Sequence, residues 1–270
     1  MNFQEITQYE RKLFDDGINY VAGIDEVGRG PLAGPFVVSA VILDLKKIFN
    51  ENFQKAVENS LINKKTSLKN VAVRTNRAVL NTNIMLEDSG EETSRYNDAL
   101  SHKDPENTFK LYGKIKDSKK LSPKTRVILS EFIKKEAISY SVEVFGPEEV
   151  DKLGISELTQ RAFFQAIKNL KVKPQYVLTD TFKVVKITKE DQENIVNGDN
   201  KSISIASASI IAKVFRDSIM IKMHEKYPNY GFEKNKGYGT SFHIKALKEF
   251  GPSKIHRKTF EPVKSFLKSI

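Results

Sequence analysis

Two adjacent carboxylates, Asp25 and Glu26, stand just ahead of a glycine-flanked arginine in the stretch Gly28-Arg29-Gly30-Pro31-Leu32-Ala33-Gly34-Pro35. Carboxylate oxygens are hard ligands suited to Mg²⁺ or Mn²⁺. Glycines around an arginine give a polyanion bare backbone to approach and a guanidinium that can fork onto phosphate. Glycines at 28 and 30 are expected to supply dihedrals and close approaches that a Cβ would block. The apolar runs on either side, Tyr20 to Ile24 and Phe36 to Leu43, read as strands of a covered sheet. Successive side chains on a strand face opposite sides, so the two acids are expected to share one ion only where the first strand gives way to the loop. In a plain surface turn such a pair would be solvated and idle; the strand-loop-strand setting argues for a site. The pattern Gly28-x-Gly30-x-x-x-Gly34 also fits a dinucleotide-binding loop, but that loop must open a helix, and Pro31, Pro35 and the β-branched run after them oppose one.

Composition narrows the chemistry further. Lys and Arg number 44 against 34 Asp and Glu in 270 residues, a net charge of +10, which suits a nucleic-acid partner and, on charge alone, an anionic membrane surface equally. No run approaches the roughly 18 apolar residues of a membrane span, and MNFQEITQYERK has no signal-peptide core. A cytoplasmic protein, monomeric and away from membranes, is therefore expected. With no cysteine and only four histidines, thiolate sites and a cysteine nucleophile are excluded and little is left for zinc, so any metal must be held by oxygen.

Several elements must position these groups. Glu5 to Asp15 reads as a helix. From about Lys46 to Lys114 the chain becomes rich in Asn, Lys, Ser, Thr and Glu with little apolar periodicity beyond Glu87, and reads as a low-complexity insertion within a single domain. Phe53, Val57 and Leu61 could line a short helix there, and Val71 to Leu80 a strand. Beyond it, Ser122-Pro123 should cap a helix with Leu129, Phe132, Ile133 and Ala137 on its apolar face. Tyr140 to Phe145 alternates as a strand. Ser156 should cap a second helix, with Leu158, Ala162, Phe163, Ala166, Ile167 and Leu170 inward. The short strand Tyr176 to Leu178 would deliver Asp180 at its C-terminal end, where open α/β sheets carry their sites. Ser202 to Tyr227 reads as a long helix whose first half is small enough for close packing on a sheet.

GIDEVGRGPLAGP, the run Asp117-Ser118-Lys119-Lys120-Leu121, Gly198-Asp199 before SISIASASIIAKVFRD, and Asn235-Lys236-Gly237-Tyr238-Gly239-Thr240 occur in that order. Together they resemble the type 2 ribonucleases H, over roughly Tyr20 to Leu43 and Lys116 to Val263. The resemblance implies an α/β fold, a ribonuclease H-like mixed sheet flanked by helices and followed by a helical C-terminal segment at about 228–270. It places the family's four metal ligands on Asp25, Glu26, Asp180 and Asp199, its substrate loop on Gly28, Arg29 and Gly30, phosphate contacts on Lys119 and Lys120, and its substrate-sensing tyrosine on Tyr238. The implied activity is endonucleolytic: hydrolysis of the RNA strand of RNA/DNA hybrids and cutting at ribonucleotides embedded in duplex DNA, with 3′-hydroxyl and 5′-phosphate ends and two Mg²⁺ or Mn²⁺ ions. Only 24 residues precede Asp25, whereas the type 3 enzymes carry a sizeable extra N-terminal domain, so type 2 is expected.

Simpler roles compete at several positions. Thr181 follows Asp180 where the family commonly has glycine. Asp199 could cap the helix begun near Ser202. Asp217 pairs more naturally with Lys213 one turn earlier than with a metal. His256 and Arg257 suit a structural or phosphate-binding role better than catalysis. A basic nucleic-acid-binding module that has lost catalysis would share the charge, though not the need for all four acids.

Overall fold

A computed structural model describes residues 3–50 and 105–268. The chain divides into two compact units, Met1–Leu45 with Ile115–Ile270, and Lys46–Lys114. Of the second unit only the two ends are described, including a helix at Pro105–Tyr112. The expected helix at Phe53 to Leu61 and strand at Val71 to Leu80 lie outside the described residues.

The first unit is built on a five-stranded sheet of order β3-β2-β1-β4-β5, formed by β1 (Val21–Val27), β2 (Phe36–Leu43), β3 (Ala137–Phe145), β4 (Tyr176–Asp180) and β5 (Gln192–Ile195). β1, β2 and β3 form an antiparallel meander, while β4 joins β1, and β5 joins β4, in parallel. The helices named below are α1 (Gln8–Asp15), α2 (Pro123–Glu136), α3 (Pro147–Leu153), α4 (Ile155–Lys168), α5 (Ile203–Lys226), α6 (Ser241–Phe250) and α7 (Val263–Lys268). α4 covers one face, where Ala22, Ile24, Val38, Ala40 and Ile42 pack with Leu158, Ala162, Phe163 and Ala166. α5 lies on the other. Its small residues allow the backbones to touch: a Cβ on Gly23 would fall 2.0 Å from the Ser204 carbonyl carbon. Strand β2 is buried along its whole length because both faces are covered, which is why it reads as an apolar run interrupted only by Ser39.

Local signals account for most boundaries. Ser122 caps α2, its Oγ accepting from the Thr125 amide at 3.1 Å, and Ser202 caps α5 by accepting from the Ile205 amide at 3.1 Å. Several boundaries differ from expectation, and Ala137, expected on the apolar face of α2, instead opens β3 ahead of Tyr140. The N-terminal helix is split at Thr7 into Phe3–Ile6 and α1. Ser156 does not cap α4; the helix begins at Ile155 behind Gly154, whose positive φ of 73° turns the chain out of α3. The edge strand β5, QENI, has no apolar alternation to betray it. The C-terminal elements α6 and α7 join a second core with Leu32, Ala33, Met220, Tyr230 and Phe232, which backs the glycine loop.

Candidate active site

Asp25 and Glu26 do not wait for the strand to end. Both remain in β1, opposite Ser39 and Val38 of β2. What ends before them is the pairing with β4, whose last partner on β1 is Ile24. Alternation therefore sends the two carboxylates to opposite sides. Asp25 shares the face of Gly23 and meets Ser209 of α5, whereas Glu26 shares the face of Ile24 and the α4 side. They are reunited electrostatically by Asp180 at the tip of β4, whose charge acts on both. Asp199 completes the group from a 3₁₀ turn, Gly198–Asn200, just ahead of α5.

Each carboxylate is held differently. The Asp25 Oδ1 accepts from the Glu26 amide at 2.7 Å, and the Asp180 Oδ1 from the Gly198 amide at 2.7 Å, which ties the Asp199 turn to the end of β4. Asp199 does not cap α5, since Ser202 does; its Oδ1 accepts from Asn200 Nδ2 at 2.9 Å. Glu26 lies 3.8 Å from Arg29 Nε through Oε1, and its buried Oε2 has no hydrogen-bond partner.

Burial and crowding raise the proton affinity of three of them. Burial, then the charges of Glu26 and Asp180, hold Asp25 well above the usual carboxylate range. Burial lifts Glu26 to about 7, against the pull of Arg29 and with a further push from Asp180. Asp199 is raised by burial and then by Asp117 and Asp180. The cation set among them is Lys119. Burial opposes its charge, yet the carboxylates of Asp199, Asp117, Asp25 and Asp180 together raise its pKa. Lys120 sits further out, donating to Asn200 Oδ1 at 2.6 Å.

The donor set fits a hard divalent cation: four carboxylates, one with an orphaned buried oxygen, in surroundings that disfavour uncompensated negative charge. Among the described residues no three such side chains stand close enough together to hold an ion as they are placed.

Beside the acids, the loop is fixed from behind. Gly28 has φ of +96°, and a Cβ there would lie 2.5 Å from Arg216 Nε and 2.6 Å from the Pro35 carbonyl. Gly30 corrects the expectation made for it: its φ is not positive and nothing lies within 4 Å of a built Cβ, so the fold itself makes no demand for glycine there. Arg29 reaches Thr159 Oγ1 of α4 at 2.5 Å and lies 4.4 Å from the centre of the Phe182 ring. Two fully buried arginines secure the loop carbonyls. Arg216 donates to Pro35, Ala33 and Lys236, and Arg257 to Gly28, Arg29 and Gly34. Arg257 is thus structural, and Asp217 pairs with Lys213 at 2.7 Å, as the spacing suggested.

Tyr238 is 43% exposed, its ring 5.9 Å from the Arg216 guanidinium carbon. Its neighbour Gly237 accepts from the amide of Leu32 at 2.8 Å, joining the tyrosine loop to the glycine loop.

Comparison with known proteins gives the family. The sequence profile of Ribonuclease HII matches residues 96–263. A Ribonuclease HII of Caldanaerobacter subterraneus is 39% identical over 257 residues, spanning 95% of this chain and 80% of that relative. The chain belongs to the ribonuclease HII family. It is an endoribonuclease that hydrolyses RNA in RNA/DNA hybrids. The fold agrees as well. The ribonuclease H2 of Pyrococcus horikoshii superposes with a TM-score of 0.58 at 22% identity, covering 93% of this chain and 98% of that one. Bst-RNase HIII, whose structure is described in complex with Mn²⁺, gives a TM-score of 0.53 at 14% identity over 93% of this chain and 70% of its own.

The resemblance had singled out the ribonuclease HII acids, loop, lysines and tyrosine, but not the residues that hold them. Asp117 was visible in its motif; it is buried, accepts from the Lys119 amide at 2.9 Å and adds a further negative charge beside Asp199. Ser209, on Asp25 and 3.0 Å from Ser118 Oγ, looked like packing alone. Glu10 of α1 carried no signal. Buried, it accepts from Ser202 Oγ at 2.5 Å and the Ser204 amide at 3.0 Å, fastening the start of α5 three residues after Asp199.

Proposed function

We propose that this endonuclease is metal-dependent, that Asp25, Glu26, Asp180 and Asp199 hold its divalent ions, Mg²⁺ or Mn²⁺, and that it cuts both at RNA in hybrids and at single ribonucleotides embedded in duplex DNA. The observation that carries the reading is the orphaned, proton-seeking Glu26 carboxylate beside Asp25 and Asp180, next to a loop whose Gly30 leaves open space. Ions held there would make the attacking water more acidic and stabilise the leaving 3′-oxygen.

The remaining residues bind and orient. The Arg29 guanidinium, braced by Thr159 and Phe182, is suited to a phosphate beside the scissile bond. With no side chain at 30, the backbone can approach the sugar, where the 2′-hydroxyl distinguishes RNA from DNA. Tyr238, half-exposed on a loop tied to the glycine loop, stacks on the next sugar or base. Lys119 neutralises the acids and Lys120 reaches for the backbone phosphates. Residues 1–270 act as one catalytic domain interrupted at about 46–114.

The test is a DNA duplex carrying one ribonucleotide, incubated with Mg²⁺, with Mn²⁺ and with a chelator. Cleavage beside the ribonucleotide that requires either ion supports the reading. Cleavage undiminished by the chelator refutes the metal role, and cleavage confined to continuous RNA refutes the embedded-ribonucleotide role.

A further inference from the structure

Two histidines that take no part in this chemistry meet inside the protein. His243 of α6 and His256 are both buried, with their Nε2 atoms 2.9 Å apart. Each ring is tied at its other nitrogen. The Ser253 amide donates to His256 Nδ1 at 2.9 Å, and His243 Nδ1 lies 2.9 Å from the Tyr238 carbonyl.

These ties fix where the protons are. A main-chain amide can only donate, so His256 Nδ1 is bare and a neutral ring carries its hydrogen on Nε2. A carbonyl can only accept, so His243 carries its hydrogen on Nδ1 and leaves Nε2 bare. Reasoned from either end, one proton lies between the facing Nε2 atoms, and the chain of donors runs from Ser253 through His256 and His243 to Tyr238. A second proton on either ring would set two N–H groups face to face. The surroundings agree: Tyr230, Phe232 and Phe250 form an aromatic wall, the Tyr230 hydroxyl is spent on the Gly251 carbonyl at 2.7 Å, and burial drives both imidazoles toward the neutral form.

The two ends of this chain reach the two halves of the substrate grip. His256 bridges Ala33 of the glycine loop in antiparallel fashion, and the next amide, of Arg257, donates to Leu32. His243 holds the carbonyl of Tyr238 itself. We propose that the His243–His256 pair is a positioning device that sets Tyr238 relative to the Gly28–Gly30 loop, and so tunes cutting at an isolated ribonucleotide. The proposal rests on the reading of Tyr238 as a substrate contact.

Two measurements on the full chain test it. On the unmutated protein with ¹⁵N-labelled histidine, ring-nitrogen shifts should show one buried histidine as the Nδ1–H tautomer and its partner as Nε2–H. Two identical tautomers, or rings that both titrate near 6.5 as free histidine does, overturn it. The second measurement compares kcat and KM on the single-ribonucleotide duplex for His243→Phe, His243→Asn, Tyr238→Ala and the double variant His243→Phe/Tyr238→Ala. His243→Phe should lower kcat by about tenfold with little change in KM. His243→Asn, whose amide can still donate to the Tyr238 carbonyl, should recover most of it. The double variant should lose no more than Tyr238→Ala alone, because the histidine acts through the tyrosine. If Tyr238→Ala is impaired while His243→Phe is not, the tyrosine reading stands and the positioning role falls. Multiplying losses in the double variant also overturn the positioning role. An unimpaired Tyr238→Ala overturns the tyrosine reading and the positioning role with it. Should His243→Phe fail to fold, His256→Phe, which breaks the same chain of donors at the facing Nε2, takes its place with the same expected loss of kcat, and an unimpaired His256→Phe overturns the positioning role.

Discussion

Replacing Arg257 by methionine keeps most of the aliphatic stem and removes every donor from a fully buried guanidinium. That group makes four hydrogen bonds to the carbonyls of Gly28, Arg29 and Gly34, at 2.6 to 3.2 Å. Stranding a buried acceptor costs about 1–3 kcal/mol. The bonds to Gly28 and Gly34 are buried and that to Arg29 partly so, which sets the loss at roughly 2–6 kcal/mol, with relief from no longer burying a charge pulling toward the lower end. For a chain of this size that lowers the melting temperature by roughly 5–20 °C. Denaturant unfolding and thermal melts measure it, with Arg257→Lys as the intermediate case, since an ammonium supplies donors without the planar fork. Cleavage of an RNA/DNA hybrid, assayed where both proteins are folded, should also fall, because the carbonyls released belong to the loop that flanks Arg29. A methionine variant within about 1 kcal/mol of the parent would refute the view that this guanidinium braces the loop.

Two further substitutions probe the acid cluster. Glu26 has a folded pKa raised from 4.5 to about 7, so as pH rises from the unfolded value to the folded one the native state is progressively destabilised, and the cost levels off above 7 at about 3 kcal/mol. Without divalent ions, Glu26→Gln should therefore melt higher than the parent at pH 8 and alongside it at pH 4; equal melting at pH 8 would contradict the burial argument. Thr181, directly after Asp180, holds φ of +60°, a conformation costly for a β-branched residue. Thr181→Gly should stabilise the fold by about 1 kcal/mol in denaturant unfolding, and a destabilised variant would show that the hydroxyl contact to Asp180 outweighs the strain.

Legibility in the sequence followed the range of the interactions. Where a signal is local, residue and structure agree: β2 spans Phe36 to Leu43, Ser122 and Ser202 cap their helices, and Asp180 arrives at the end of a short apolar strand. The departure at Thr181, visible as a missing glycine, proved to be a position of positive φ. Errors arose where geometry depends on a partner distant in sequence. Asp25 and Glu26 stay in β1 because its pairing with β2 runs on to Val27 after the pairing with β4 has ended at Ile24, and no residue near 25 encodes where each partner stops. Gly30 and Gly28 look alike in the sequence, and only the approach of Arg216 and Pro35 distinguishes them. Glu10 carries no periodicity or motif, and although Arg216 lies in the SISIASASIIAKVFRD motif and Arg257 reads as structural or phosphate-binding, all three have contacts about 180 or more residues away that nothing beside them encodes.

The most direct test of the central claim is Asp25→Asn, assayed on an RNA/DNA hybrid in Mg²⁺ for cleavage and, with chelator present, for binding. The substitution keeps the shape of the side chain and removes the charge proposed to hold the ions, while Arg29 and the lysines remain to grip the phosphates. Cleavage should be lost with hybrid affinity nearly unchanged. Cleavage within about tenfold of the parent would remove Asp25 from the mechanism and contradict the account.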